Sequence, residues 1–168
     1  MAKQIVYWDS CCFLGLLNNE QDKVHLCQGT IRKAESGELI IVTSAITFIE
    51  VIRMKGKPKL KKAIENTIQQ FFSNSFISIH NVDREVGIRA RNLMWRHQAL
   101  QPKDSIHLAT ALFHNIPTLH TFDNELLSLK DRHIKQKIKI CKPDIQYQMD
   151  FDDLNKEAKQ PKASTDKP

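Results

Sequence analysis

What this 168-residue chain lacks narrows the field first. No apolar run approaches the roughly 20 residues that span a bilayer. The amino terminus, MAKQIVYWDS, reaches an aspartate before any stretch long enough for a secretory signal. The expectation is therefore a cytoplasmic protein with no membrane partner. Cysteine is scarce, and Cys11, Cys12, Cys27 and Cys141 form no C-x-x-C pair. A disulfide framework does not suit a chain without a secretion signal. A zinc site would need closer spacing or more histidines, and His25 near Cys27 brings no further visible ligands. The thiols read as buried and reduced. No internal repeat is visible.

What is present suits one domain with a sizeable core. Hydrophobic residues make up 41% and charged residues 26%, ordinary values for a soluble globular protein. The net charge is +6, and the surplus is uneven. Residues 142–168 carry five lysines against six acids, so the remainder holds 20 basic and 13 acidic residues. A basic body suits a polyanion such as nucleic acid.

Apolar periodicity gives the order of elements. Residues 5–8, Ile-Val-Tyr-Trp, form a short apolar run stopped by Asp9, which predicts a buried strand. Cys12, Phe13, Leu16 and Leu17 follow at helical spacing. Val24, Cys27, Ile31 and Ala34 predict an amphipathic helix, with Asp22 as its cap and Gly37 as its stop. Leu39–Thr43 reads as a second strand. Ser44 is expected to cap a helix that carries Glu50 in its second turn. Lys55–Pro58 is a break, and Leu60 to Phe72 predicts a helix. Phe76–Ile79 predicts a third strand, and Asp83 caps a helix with Val86, Ala90, Leu93 and Met94 inward. Pro102 opens another helix with Asp104 in its first turn. Pro117–Phe122 reads as a fourth strand ending at Asp123. Ile134, Ile138 and Ile140 suggest a fifth strand at a sheet edge. Trp8 and Trp95 read as core or interface residues. Strands alternating with helices predict an α/β fold with a mostly parallel sheet of about five strands between helices.

In such a sheet the carboxyl ends of strands and the amino ends of the following helices share one rim, where ligands bind. Asp9, Glu50, Asp104 and Asp123 all fall at that rim. Glu50 is the most telling, because ITFIEVI surrounds it with apolar or β-branched neighbours. An isolated buried carboxylate is too costly to keep ionised. Two like charges about 4 Å apart repel by roughly 4 kcal/mol at an effective dielectric near 20. Divalent cations relieve that repulsion, and all-oxygen ligands suit Mg²⁺ or Mn²⁺ rather than zinc. One or two such ions support phosphodiester cleavage by activating water and stabilising the leaving oxygen. The Ser10 hydroxyl could hydrogen-bond a metal ligand or a substrate phosphate, and Arg53, three residues after Glu50 on roughly the same face, could contact a substrate phosphate or only screen Glu50 electrostatically. No histidine is assigned to catalysis. Lys103 reads as a solvated lysine, and Glu125, near Asp123, either as a surface residue or as a further member of the metal shell.

The stretches VYWDSCCFLGLLN, IVTSAITFIEVIR, LQPKDSIHLATAL and TLHTFDNEL resemble the PIN-domain nucleases, especially the VapC-like toxins, in order and spacing. The resemblance covers most of residues 4–125. It implies a single-domain three-layer fold over residues 1–142; residues 143–168, where apolar residues thin out, read from composition as a polar, partly disordered extension, longer than many compact family members carry. It further implies an Mg²⁺- or Mn²⁺-dependent endoribonuclease with Asp9, Glu50, Asp104 and Asp123 as catalytic and metal-site acids. A homodimer, an RNA substrate and a cognate antitoxin protein are the partners it suggests. Asp104 is followed by Ser105, where this family more often has alanine. The competing readings are a PIN-fold RNA-processing nuclease outside a toxin system and a non-catalytic RNA- or protein-binding module. A phosphatase with an aspartyl nucleophile would carry a second aspartate where Cys11 stands.

Overall fold

Five short strands carry the chain through one parallel sheet. The computed structural model describes residues 3–52 and 58–144. The strands are Gln4–Trp8 (β1), Leu39–Ser44 (β2), Ile77–His80 (β3), Thr118–His120 (β4) and Lys139–Cys141 (β5). Their order is β3-β2-β1-β4-β5, with every neighbouring pair parallel. The helices are Ser10–Leu17 (α1), Val24–Glu35 (α2), Thr47–Glu50 (α3), Glu65–Phe72 (α4), Arg84–Arg96 (α5), Pro102–Phe113 (α6), Asn124–Leu127 (α7) and Arg132–Lys135 (α8).

Strand periodicity divides the core into two layers. Val6 and Trp8 of β1 join Phe13 of α1, Ile31 of α2 and Phe72 of α4 on one side. Tyr7 joins Val86 and Leu93 of α5, Leu108 of α6, Leu126 of α7 and Ile134 of α8 on the other. Both faces of β1 are thus covered, which explains a continuous apolar run rather than an alternating one. The result is the three-layer α/β architecture expected from the sequence.

Several local expectations change. Ile134 lies in the one-turn helix α8 and only Lys139–Cys141 forms the edge strand. Asp131 caps that turn by accepting from the His133 and Ile134 amides at 2.8 and 3.2 Å, and this local bond overrides the isoleucine alternation. Asp22 does not cap α2, whose N-cap is Lys23 without a side-chain bond. Ser44 closes β2, and α3 is capped at Ile46 without a side-chain bond. Glu50 is therefore the last residue of a single turn, not a second-turn residue. Asp83 does cap α5, accepting from the Val86 amide at 2.9 Å. Gly37 follows α2 at φ +83°, a left-handed conformation that suits glycine. Trp8 is fully buried, whereas Trp95 is 73% exposed rather than in the core. Arg53 and residues 145–168 of the C-terminal extension lie outside the described residues. No helix among the described residues is long and apolar enough to cross a membrane.

The topology fixes where chemistry can occur. From β1 the chain builds outward through β2 to β3, then returns to place β4 on the opposite side of β1. The crevice at such a reversal opens beyond the carboxyl ends of β1 and β4. Asp9 follows β1 directly, and Asp123 stands just beyond β4.

Candidate active site

Asp9 is the most enclosed acid of the site, only 3% exposed. It is the N-cap of α1, and its Oδ1 accepts from the Cys11 and Cys12 amides at 3.1 and 3.3 Å. The Cys11 thiol donates to the same oxygen at 2.7 Å. The Thr121 hydroxyl donates to Oδ2. Burial raises the Asp9 pKa, while His107 and these hydrogen bonds oppose the rise without cancelling it. Asp9 thus caps α1, and that role places its carboxylate on the rim.

Two contacts strap Asp9 to the segment beyond β4. The Asp123 amide donates to Thr121 Oγ1 at 2.9 Å, so a single hydroxyl links Asp9 to the backbone of Asp123. The Phe122 amide donates to Cys11 Sγ at 3.0 Å. Asp123 in turn caps α7, its Oδ1 accepting from the Glu125 and Leu126 amides at 2.9 and 3.0 Å.

Asp104 projects from the first turn of α6, started by Pro102. Its carboxylate, that of Asp123 and that of Glu125 offer oxygens all within 4.8 Å of one another. Burial first, and then the charge of Asp123, push the Asp104 carboxyl up to about 7. Asp9 and Glu50 add to the same rise, so Asp104 feels the charges of the other three acids of the sequence set. Three carboxylates at this separation, one with its pKa raised by burial and by its neighbours' charge, offer oxygens that suit a hard divalent cation. Glu125 is exposed, as a surface residue would be, and the α7 cap turn also brings its carboxylate beside Asp123 and into this triad. Asp9 and Glu50 flank the triad without belonging to it.

Glu50 finds cationic and polar company. His107 Nε2 lies 2.6 Å from Glu50 Oε2, and Lys103 Nζ lies 3.4 Å from Oε1. Burial pushes the Glu50 carboxyl up. The hydrogen bond and charge of His107, then Lys103 and the Ser10 hydroxyl, outweigh it and hold the pKa below its ordinary value. Ser10 thus touches the site through Glu50. His107 is itself buried, with Nδ1 2.8 Å from the Tyr7 hydroxyl. From the sequence no histidine is assigned to catalysis, and His107 enters the site as the partner of Glu50. The signal was present, since His107 follows Asp104 by three residues on one helix and so shares its face. Lys103 is likewise an ion-pair partner rather than a solvated lysine only. Thr121, two residues before Asp123, carried no periodic signal that could single it out.

Comparison with known proteins agrees with this layout. The PIN domain family matches residues 6–131. No curated protein matches the chain. Among solved structures, a toxin–antitoxin complex from Klebsiella pneumoniae is similar, with 20% identity and a TM-score of 0.54 over 74% of this chain and 92% of that one. VapBC2 from Rickettsia felis, bound to a DNA fragment from its promoter, is similar at 16% identity and a TM-score of 0.58. That match covers 82% of this chain and 97% of that one. At these identities the two structures speak for the fold, and the family match spans most of the chain. The chain belongs to the PIN domain family.

Proposed function

We propose that this protein is an Mg²⁺- or Mn²⁺-dependent endoribonuclease and the toxin half of a type II toxin–antitoxin pair. The observation that carries the reading is the Asp104–Asp123–Glu125 triad at the topological switch of a parallel sheet. Asp9 and Glu50 adjoin it, and the family match places the whole set within a PIN domain. Asp9, Glu50, Asp104 and Asp123, with Glu125 added, are the residues we assign to holding the cation. One or two divalent ions there would supply Lewis-acid polarisation of the scissile phosphate and of the attacking water.

The chain's own groups prepare that chemistry. Thr121 and Cys11 fix the Asp9 carboxylate against the 121–123 segment, so the acid needs no reordering when RNA arrives. His107 holds one oxygen of Glu50 and leaves Oε1 to face Lys103. Lys103 is 59% exposed and is placed to pair with a phosphate oxygen of the substrate. Ser10 steadies Glu50 from the start of α1. Arg53 remains a second candidate for phosphate binding.

The partner assignment rests on resemblance and on surface chemistry. Of the two similar structures described above, one is a toxin–antitoxin complex and the other is VapBC2 bound to a promoter DNA fragment. Beside Glu50, Phe48, Ile49 and Ile52 are 51, 66 and 42% exposed, a concentration of large apolar groups that suits a protein partner. We place the antitoxin there. We further infer a cytoplasmic homodimer.

The test is cleavage of RNA by the purified protein with Mg²⁺ or Mn²⁺, and its loss on chelation. Asp9→Asn should abolish cutting while the circular dichroism spectrum stays that of the parent. Cutting by Asp9→Asn at the parent's rate would place the chemistry elsewhere.

A further inference from the structure

Helix α5 presents an outer face that the acidic site does not use. Its sequence, REVGIRARNLMWR, carries four arginines against one glutamate. Val86, Ala90 and Leu93 point into the core, so the arginines are left on the outside. Arg84 has an exposed ion pair with Glu85 at 3.8 Å. Arg89 stacks over Phe113, and Arg91 stacks over Trp95 with its guanidinium carbon 5.0 Å from the ring centroid. Arg96 Nε donates to the Asn92 carbonyl at 3.4 Å. Among the described residues, none of Arg89, Arg91 and Arg96 has a carboxylate partner.

Trp95 is the second half of the observation. It is 73% exposed, although tryptophan is highly buried on average. An exposed indole beside arginines without carboxylate partners combines the two elements of single-strand recognition. These are a platform on which a base stacks and cations for the backbone. The position is apt as well. A short connection of residues 97–101 joins α5 to α6, and the two helices pack through Val86, Leu93 and Leu108. Buried Leu100 and the 3.0 Å His97–Asp131 contact tie the connection down. Arg96 at the end of α5 is then no more than about 20 Å from Pro102, where α6 begins with Lys103 and Asp104.

We propose that the Arg91–Trp95–Arg96 face is a single-stranded RNA track leading to the acidic centre. In this arrangement a base stacks on Trp95 and backbone phosphates pair with Arg91 and Arg96. The inference rests on the nuclease reading for the choice of RNA as ligand. A second copy of this chain is the alternative occupant. Charge argues against it, because a two-fold contact would set this cationic face against its own copy.

The full-length protein tests this directly, since its two tryptophans separate cleanly: Trp8 is fully buried and Trp95 exposed. A short fluorescein-labelled single-stranded RNA of mixed sequence is titrated in EDTA, which prevents cleavage. Anisotropy and tryptophan emission are read together. RNA is expected to quench Trp95 with the same midpoint as the anisotropy rise. Trp95→Ala, and separately Arg91→Ala/Arg96→Ala, should each weaken binding about tenfold or more. Trp95→Phe should retain most of the affinity, because a ring remains to stack on. Unchanged thermal unfolding of Trp95→Ala shows that the fold is kept. Parent-like affinity in both alanine variants, or binding without quenching, would overturn the track. So would a dimer that dissociates in sedimentation when Trp95 is replaced, which would assign the face to a second copy. A parent that cuts RNA with Mn²⁺ while the variants bind normally sinks the track and spares the nuclease. A parent that binds through Trp95 but never cuts spares the track and sinks the nuclease.

Discussion

His107 Nε2 lies 2.6 Å from Glu50 Oε2, and the two residues are 57 positions apart in the chain. An ionised carboxylate can only accept, so Nε2 carries the hydrogen of this bond. On the other side of the ring Nδ1 lies 2.8 Å from the Tyr7 hydroxyl. Burial, and next the charge of Asp9, push the Tyr7 phenol above its ordinary value, so it stays a hydroxyl that can donate. A relay from β1 through α6 to α3 thus orients an acid that its own one-turn helix holds poorly.

Replacing His107 tests that relay. His107→Ala removes a charge-assisted bond to a largely buried carboxylate and should lower unfolding free energy by about 2 kcal/mol. His107→Gln restores a donor and should recover part of the loss. Urea denaturation at neutral pH measures both. Equal stability of His107→Ala and the parent would show that the contact contributes nothing.

Thr121 makes a similar case at Asp9. Thr121→Val leaves the shape but removes the hydroxyl that joins Asp9 Oδ2 to the Asp123 amide. The expected cost is about 1–3 kcal/mol, since both partners are left wanting. RNA cleavage should fall with it. Thr121→Ser should keep both. Cleavage rates and denaturation curves of the three proteins decide the matter.

Asp104 gives a pH signature. Its folded pKa of about 7 stands above the ordinary carboxyl value of 3.8, so the folded state holds the proton more tightly. Between about pH 4 and 7 the native protein binds more protons than the unfolded chain, and stability falls as pH rises. After allowing for solvent screening of this half-buried group, the fall is roughly 1–2 kcal/mol. Glu50 acts in the opposite sense. Its depressed pKa contributes stability that is present above the unfolded value and lost as pH falls through the folded one. The contribution of Asp104 is isolated by comparing the parent with Asp104→Asn in metal-free buffer. The slope from pH 4 to 7 should flatten in the variant, and parallel profiles would contradict the assignment.

Much of this was legible before the structure. The acids Asp9, Asp104 and Asp123 announce themselves because each stands where an apolar run ends or a helix begins. The two-sided burial of β1 is readable in Ile-Val-Tyr-Trp. The helix of Glu50 misled, because a β-branched stretch without a side-chain cap supports only one turn. Val51 leaves the helical region at ψ 54°, and the Ile52 amide bonds Glu50's carbonyl at 2.7 Å. Ile134 misled for the converse reason, since the Asp131 cap is a local bond that alternation does not reveal. His107, Lys103, Thr121 and Glu125 gain their roles from contacts across the sheet or within a cap turn. Such contacts depend on topology rather than on spacing alone.

Glu125 is the most exposed test of the triad. Glu125→Gln keeps the backbone amide that Asp123 caps but removes one carboxylate charge from the triad. Mn²⁺ affinity should fall about tenfold, as a lost hard ligand implies, while thermal stability without metal holds or rises. Calorimetric titration reads the first quantity and a melting curve the second.

Mn²⁺ binding followed by electron paramagnetic resonance bears most directly on the acidic centre. The free-ion signal should disappear as one or two equivalents bind the parent protein, and it should persist when Asp104→Asn/Asp123→Asn is titrated under the same conditions. Undiminished binding by the double variant, or none by the parent, would contradict a cation site at these carboxylates.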